Sequence, residues 1–128
     1  MIGYKKVYVN KRNQYGEYSV PYVLKLEIVG AVVKRDWVRK MRTSEARVIE
    51  AYRVRLVQQA RVYAWDFAVA VKKPIRNKNT VFTSIWDKTF NYRIGQTAKP
   101  NLPFNSNIRE DCGSGIHFYL TKKEAANH

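Results

Sequence analysis

Two segments of the chain repeat with a period of two residues, which is the spacing of a β-strand whose alternate side chains face opposite sides. From residue 20 to residue 28, large apolar side chains alternate with a proline, a valine, a lysine and a glutamate. From residue 61 to residue 71, aromatic or branched side chains alternate with mostly small ones. Val20–Ile28 and Arg61–Val71 are therefore predicted to be strands that each turn one face toward a core.

Shorter strands and their connections follow from local composition. Tyr4–Val9 and Val81–Trp86 are rich in β-branched and aromatic residues, which favours two further strands. The residues from Asn10 to Gly16 are mostly polar and end in glycine, which is typical of a hairpin turn or a short loop between the first two strands. Lys72–Asn79 is rich in turn formers and is predicted to be a connector.

The segment Ser44–Gln59 fits two structures. As a helix it would be capped by Thr43 or Ser44. As a strand over Ala46–Leu56 it would be interrupted by Glu50, and its apolar face would carry Ala46, Val48, Tyr52, Val54 and Leu56. We favour the strand.

The C-terminal segment combines three short signals. Cys112–Gly115 is typical of a tight turn, and Ile116–Leu120 is a short apolar run that favours a strand. Thr121 and Glu124 have the spacing of a capping box, which predicts that a short helix begins there. The whole pattern predicts one α+β domain over residues 1–128, mainly antiparallel β-sheet with a short C-terminal helix.

A long segment, Asp87–Ser114, shows little apolar periodicity. Long irregular segments inside compact domains are often functional. The alternative is that this one lies flat on the core through its large apolar residues: Phe90, Tyr92, Ile94, Leu102 and Phe104.

The charge of the chain constrains its partners. The 24 lysines and arginines outnumber the ten acidic residues, which gives a formal charge of +14 on 128 residues. Such a charge attracts polyanions and speeds association with them. With 45% hydrophobic residues the chain can still build a core, so disorder is not expected. A binding protein for nucleic acid, a nucleotide or an acidic protein is the resulting expectation.

The basic residues are densest in two clusters. The first surrounds Trp37, whose ring could stack on a base while the cations hold phosphates. The predicted polyanion-binding residues are Lys34, Arg35, Trp37, Arg39, Lys40 and Arg42 in the first cluster, and Lys72, Lys73, Arg76 and Lys78 in the second. The alternative for either cluster is a solvated loop that keeps the protein soluble.

Cys112 and His117 form the one pair that invites an enzyme interpretation, since a thiolate beside an imidazole base is a recurrent nucleophile. The alternative is that Cys112 packs as a small apolar group and His117 belongs to a hydrogen-bond network. One cysteine and two histidines cannot make a standard four-ligand zinc site without carboxylates. The sequence therefore favours a binding protein over an enzyme, with no metal and no cofactor.

Three separated pieces of the sequence resemble an uncharacterised family of large DNA viruses and phages, whose members often follow pentapeptide-repeat or other repeat segments. The pieces are Val23–Ile28, then Lys40–Arg42 with Ala46–Glu50, and finally Asp87–Ala125. The last contains the family's tail as Cys-Gly-Ser-Gly-Ile-His-Phe-Tyr followed by Thr-Lys-Lys-Glu-Ala. The sequence departs from the family in two places. Arg53–Asn79 looks longer than the corresponding segment of the family, and Tyr119 stands where a second phenylalanine is usual.

The resemblance implies a viral or phage accessory protein. Together with the charge, it predicts binding of nucleic acid, or capture of a nucleotide signal as an anti-defence factor. Two alternatives stay open: a small enzyme using Cys112 and His117, and a structural or assembly protein that contacts viral DNA or an acidic protein. No secretory signal and no membrane span are recognised, so the host cytoplasm or the virion is the expected location.

Overall fold

The structure, a computed structural model, describes residues 1–34, 39–57, 67–84, 90–100 and 115–128. These residues form ten strands and one helix. In chain order they are β1 Ile2–Asn13, β2 Gly16–Ile28, β3 Val32–Lys34, β4 Met41–Thr43, β5 Ala46–Val57, β6 Phe67–Ala70, β7 Phe82–Thr83, β8 Asn91–Tyr92, β9 Thr97–Ala98, β10 Ile116–Phe118 and α1 Lys122–Ala126. The predicted class, mainly antiparallel β-sheet with a short C-terminal helix, is confirmed.

The longest element is the hairpin of β1 and β2, which pair without interruption from Ile2 opposite Glu27 to Asn13 opposite Gly16. The predicted hairpin is present, and both strands extend further into the predicted turn than their apolar pattern does. Gly16 has a φ of +118°, and no atom would meet a Cβ there, so glycine is needed for its backbone conformation alone. The Tyr15 amide donates to the Asn13 side chain at 2.8 Å and closes the turn.

The hairpin lies inside a large antiparallel sheet with the order β6-β5-β2-β1-β7-β8. Strand β5 pairs with β2 on one edge. On its other edge it meets β9, then Gly95 and Gln96, then Ile75, then β6. Backbone hydrogen bonds from separate segments therefore fix β5 on both sides. The strand that we favoured over a helix for Ala46–Leu56 is confirmed.

A second, small sheet has the order β10-β4-β3. It joins the edge of the large sheet where Tyr4 and Tyr119 exchange backbone hydrogen bonds of 2.7 and 2.8 Å. Phe118 of β10 then lies directly over Gly3, where a Cβ would collide with the phenylalanine ring. Glycine at position 3 is thus the residue that lets the small sheet approach.

The two faces of the large sheet are distinct, and we call them the core face and the helix face. The core face is covered by the small sheet and by residues 90–98. Its buried members include Val7, Leu24, Leu26, Val48 and Phe82, which share a core with Phe118 of the small sheet. The helix face is covered by α1, whose Ala125 and Ala126 pack with Val23, Val54 and Ala68. Asn127 ties the helix to β6 by two side-chain hydrogen bonds of 2.9 Å with the Ala68 backbone.

A β-bulge changes which residues of β5 face the core. The pairing with β2 shifts between Lys25 opposite Glu50 and Leu26 opposite Val48, so Ile49 is the extra residue. Before the bulge Ala46 and Val48 lie on the core face, and after it Ala51 does. The single apolar face predicted for Ala46–Leu56 is therefore wrong: the face is divided at the bulge, and Leu56 is 72% exposed.

Other predictions are resolved in part. In the strand predicted for Arg61–Val71, residues 67–70 form β6, and residues 61–66 lie outside the described part of the chain. In the strand predicted for Val81–Trp86, residues 82–83 form β7, and residues 85–86 lie outside the described part. Tyr92 and Ile94 belong to the core and Phe90 packs against it, as in the alternative proposed for Asp87–Ser114. Leu102 and Phe104 lie outside the described residues.

The predicted N-cap of the C-terminal helix is confirmed. The Glu124 amide donates to the Thr121 hydroxyl at 3.2 Å, and that hydroxyl donates to the Glu124 carboxylate at 2.9 Å. The Glu124 side chain therefore bonds the threonine hydroxyl, whereas in a standard capping box it bonds the backbone amide of the N-cap residue. Among the described residues, no helix has the length and apolar character needed to cross a membrane.

Candidate polyanion-binding surface

Positive charge dominates the described part of the chain, where 20 basic side chains accompany five acidic ones. Three of the five acids are engaged in ion pairs: Glu27 with Arg47 at 2.8 Å, Glu50 with Arg76 at 3.0 Å, and Glu124 with Arg39 at 3.4 Å. Exposed positive charge is therefore in excess on this part of the surface.

The first predicted cluster is divided by the fold. Lys34 is exposed at the end of β3. Arg39 has an 82% exposed side chain and pairs with Glu124 of the helix. Arg35 and Trp37 lie outside the described residues. Lys34 and Arg39 are thus the two described members of this cluster that are exposed, and the remaining two are less accessible.

The two less accessible members are Lys40 and Arg42. Arg42 is buried in β4, with 4% of its surface exposed, and Lys40 is half-buried. On the core face Lys5 donates to the His117 carbonyl at 3.3 Å. Burial, reinforced by the charge of Lys40, lowers the pKa of Lys5 to about 8. Lys5, Lys40 and Arg42 are thus partly or fully buried and offer little surface to a large ligand.

The second predicted cluster lies on the connector between β6 and β7, and its four cations, Lys72, Lys73, Arg76 and Lys78, are all exposed. The connector is held in place by Ile75, which exchanges backbone hydrogen bonds of 2.6 and 3.0 Å with Ala51 of β5 and packs against the core. The connector therefore presents four cations from a backbone that is fixed to the sheet.

One of these cations also belongs to a charged group on the helix face, which we call the Glu50 cluster: Lys25, Glu50, Tyr52, Arg76 and Lys122. Glu50 is 6% exposed. Its carboxylate accepts from the Arg76 Nε at 3.0 Å and from the Tyr52 hydroxyl, and the Lys25 Nζ lies 3.9 Å away. The Lys122 Nζ lies 4.2 Å from the centre of the Tyr52 ring, within reach of a cation–π interaction.

Opposite pKa shifts accompany these contacts. The hydrogen bond from Tyr52 is the main reason that the pKa of Glu50 lies below its usual value, and Arg76 and Lys25 add to the effect against the cost of burial. Burial, followed by the bond to Glu50, raises the pKa of Tyr52 to about 12. Glu50 is therefore a carboxylate and Tyr52 a neutral phenol at neutral pH.

The proposed catalytic pair is placed only in part. His117 is half-buried in β10, opposite Arg42 of β4. Cys112 lies outside the described residues. Where the structure does describe the chain, no three histidine, cysteine, aspartate or glutamate side chains gather as metal ligands would.

Sequence analysis missed the other members of the Glu50 cluster, namely Lys25, Glu50, Tyr52 and Lys122. One signal did mark the place, because Glu50 interrupts an otherwise apolar face of β5. The bulge converts that interruption into an ordered pattern, in which Glu50, Tyr52 and Val54 share the helix face.

Comparison with known proteins places the chain in a family. No curated protein matches it, and no solved structure matches it. A family model does match residues 1–125, and it includes Arg53–Asn79, the segment that looked longer than the family's connector. The predicted membership in an uncharacterised family is thereby confirmed. The chain belongs to DUF5758, a family of unknown function.

Proposed function

We propose that this protein binds a phosphate-rich polyanion, with nucleic acid as the first choice. The observation that carries the proposal is the connector, on which Lys72, Lys73, Arg76 and Lys78 are all exposed while its backbone is bonded to β5. The Glu50 cluster continues this positive surface, because Arg76 belongs to both.

Phosphate binding explains the large excess of positive charge better than a need for solubility does. Cations that contact phosphates release condensed counterions, and this supplies most non-specific affinity for nucleic acid. A protein that needed only solubility could carry far fewer unbalanced charges, since excess charge destabilises the compact state. We further propose that the protein is an accessory protein of a virus or phage. Residues 112–125, which resemble the C-terminal motif of a family from large DNA viruses and phages, support this proposal.

The test is fluorescence anisotropy with labelled single-stranded and duplex oligonucleotides over a salt series. The double variant Lys72→Ala, Lys73→Ala removes two connector cations. Its matched control, Lys11→Ala, Arg12→Ala, removes two exposed cations from the tip of the β1–β2 hairpin. We expect the connector variant to weaken binding and to lower the slope of log K against log salt by about 1.8 on duplex DNA, with a smaller change in the control.

Three outcomes would contradict the proposal. Binding that is absent at low salt, or unchanged between low and moderate salt, would exclude a polyanion-binding protein. Equal losses in the connector variant and the hairpin control would show that affinity follows total charge, and would exclude the connector as the binding surface.

A further inference from the structure

We propose that the Glu50 cluster is a recognition site for a single phosphate group. In this site Lys25, Arg76 and Lys122 contact the phosphate, and Glu50 is a positioning residue. The inference rests on the proposed function and names the chemical group that this part of the surface takes.

The net positive charge of the cluster favours binding of an anion. The cluster holds three cations and one carboxylate, which leaves two positive charges uncompensated within it. Another carboxylate on the same face, Glu27, is occupied by Arg47 at 2.8 Å. A phosphate monoester carries about 1.5 to 2 negative charges at pH 7 and matches this excess.

Arg76 is oriented for such a ligand. Its Nε donates to Glu50, which fixes the plane of the guanidinium, while the side chain as a whole is 73% exposed. The terminal nitrogens of a guanidinium held in this way can bond two oxygens of one phosphate. A carboxylate behind an arginine thus makes the arginine a better phosphate ligand than an unrestrained surface side chain.

The two lysines are restrained by the same carboxylate. Lys25 lies 3.9 Å from Glu50 directly. Lys122 is restrained through Tyr52, whose hydroxyl bonds Glu50 and whose ring lies 4.2 Å from the ammonium group. Thr121 caps the helix at the residue before Lys122. Because the cations are held before the ligand arrives, less conformational entropy is lost on binding.

The experiment titrates the full chain with inorganic phosphate, followed by isothermal calorimetry. We expect Arg76→Ala and Lys122→Ala each to weaken phosphate binding at least fivefold, and Arg76→Lys to restore only part of the loss because it keeps the charge without the fork. Arg47→Ala is the matched control, since Arg47 is an exposed, ion-paired cation on the same face. Unfolding curves establish that each variant is folded.

Glu50→Gln separates positioning from simple charge. The substitution makes the site more positive, so an electrostatic role alone predicts tighter phosphate binding. A positioning role predicts weaker binding, because the hydrogen bonds that orient Arg76 and Tyr52 are lost or weakened. Tighter binding by a folded Glu50→Gln variant would overturn the role given to Glu50.

Two oligonucleotides of one sequence, with a 5′-phosphate or a 5′-hydroxyl, identify the source of the phosphate. A preference for the 5′-phosphate that disappears in Lys122→Ala indicates a terminal monoester, and equal binding that weakens in Lys122→Ala indicates a backbone phosphate. Absence of phosphate binding, or an equal loss in Arg47→Ala, would overturn the site while salt-dependent oligonucleotide binding still stood. Phosphate binding without oligonucleotide binding would instead overturn the proposed function alone.

Discussion

The two faces of the large sheet are built from alternate residues of the same strands, yet they are closed off from water differently. The core face meets a second sheet, and its large side chains, such as Leu24 and Phe82, are fully buried. The helix face meets a helix of five residues, so charged groups such as Lys25 and Arg76 remain partly exposed beside it. Burial concentrated on one face leaves the other free to carry a charged network.

The largest expected effect tests the core face. Phe118→Ala removes a fully buried ring that packs on Gly3. We expect the free energy of unfolding, measured in urea, to fall by about 3–5 kcal/mol, because the lost transfer energy and the cavity add. Tyr18→Ala, at an exposed position in the hairpin, serves as the control. A loss below about 1 kcal/mol would mean that the small sheet does not close this face.

The next prediction concerns the charged residue that shares the core face. The pKa of Lys5 is about 8, below its usual 10.5, so the folded state disfavours the charged amine. Below pH 8 this costs stability; as pH rises from 8 to 10.5 the folded state releases its proton first and the cost is relieved. We expect Lys5→Met to be more stable than the native chain at pH 7 by about 1–3 kcal/mol.

That difference should shrink as the pH approaches 10.5, as measured by urea unfolding at a series of pH values. Lys6→Met is the control, because its side chain lies on the opposite face of β1, over the Tyr8 ring. A destabilising Lys5→Met at pH 7 would show that the bond to the His117 carbonyl outweighs the burial of charge.

A smaller effect is expected on the helix face. Tyr52→Phe removes the hydroxyl that donates to Glu50 and should lower the free energy of unfolding by about 1–2 kcal/mol at pH 7. Because folding raises the pKa of Tyr52 from 10.0 to about 12, the stability that the hydroxyl contributes is fully present below pH 10. That stability is lost as the pH rises toward 12. The gap between the native chain and the variant should therefore close over this range, and Tyr18→Phe should show no such gap.

The smallest effect concerns the helix that covers this face. Thr121→Ala removes the N-cap and should cost about 1 kcal/mol in thermal or urea unfolding, whereas Thr121→Ser should retain most of the stability. If both substitutions were neutral, packing of Ala125 and Ala126 alone would hold the helix, and the cap would be dispensable.

Much of the fold was predictable because it rests on local patterns. The alternation in β2, the polar turn before Gly16 and the spacing of Thr121 and Glu124 each depend on neighbours in the chain. The candidate site was less predictable. The connector cations were recognised by composition, but Lys25 and Lys122 join them through contacts with Glu50 and Tyr52, which lie far from both lysines in the sequence.

The sequence by itself determined that the chain is β-rich, strongly basic and closed by a short capped helix, because periodicity, charge and capping act over a few residues. Only the tertiary structure decided which cations share a surface. The bulge at Ile49 turns Glu50 away from the core, and Ile75 brings Arg76 to it. Both depend on pairing between distant strands, where the register of hydrogen bonds selects the face on which each side chain lies.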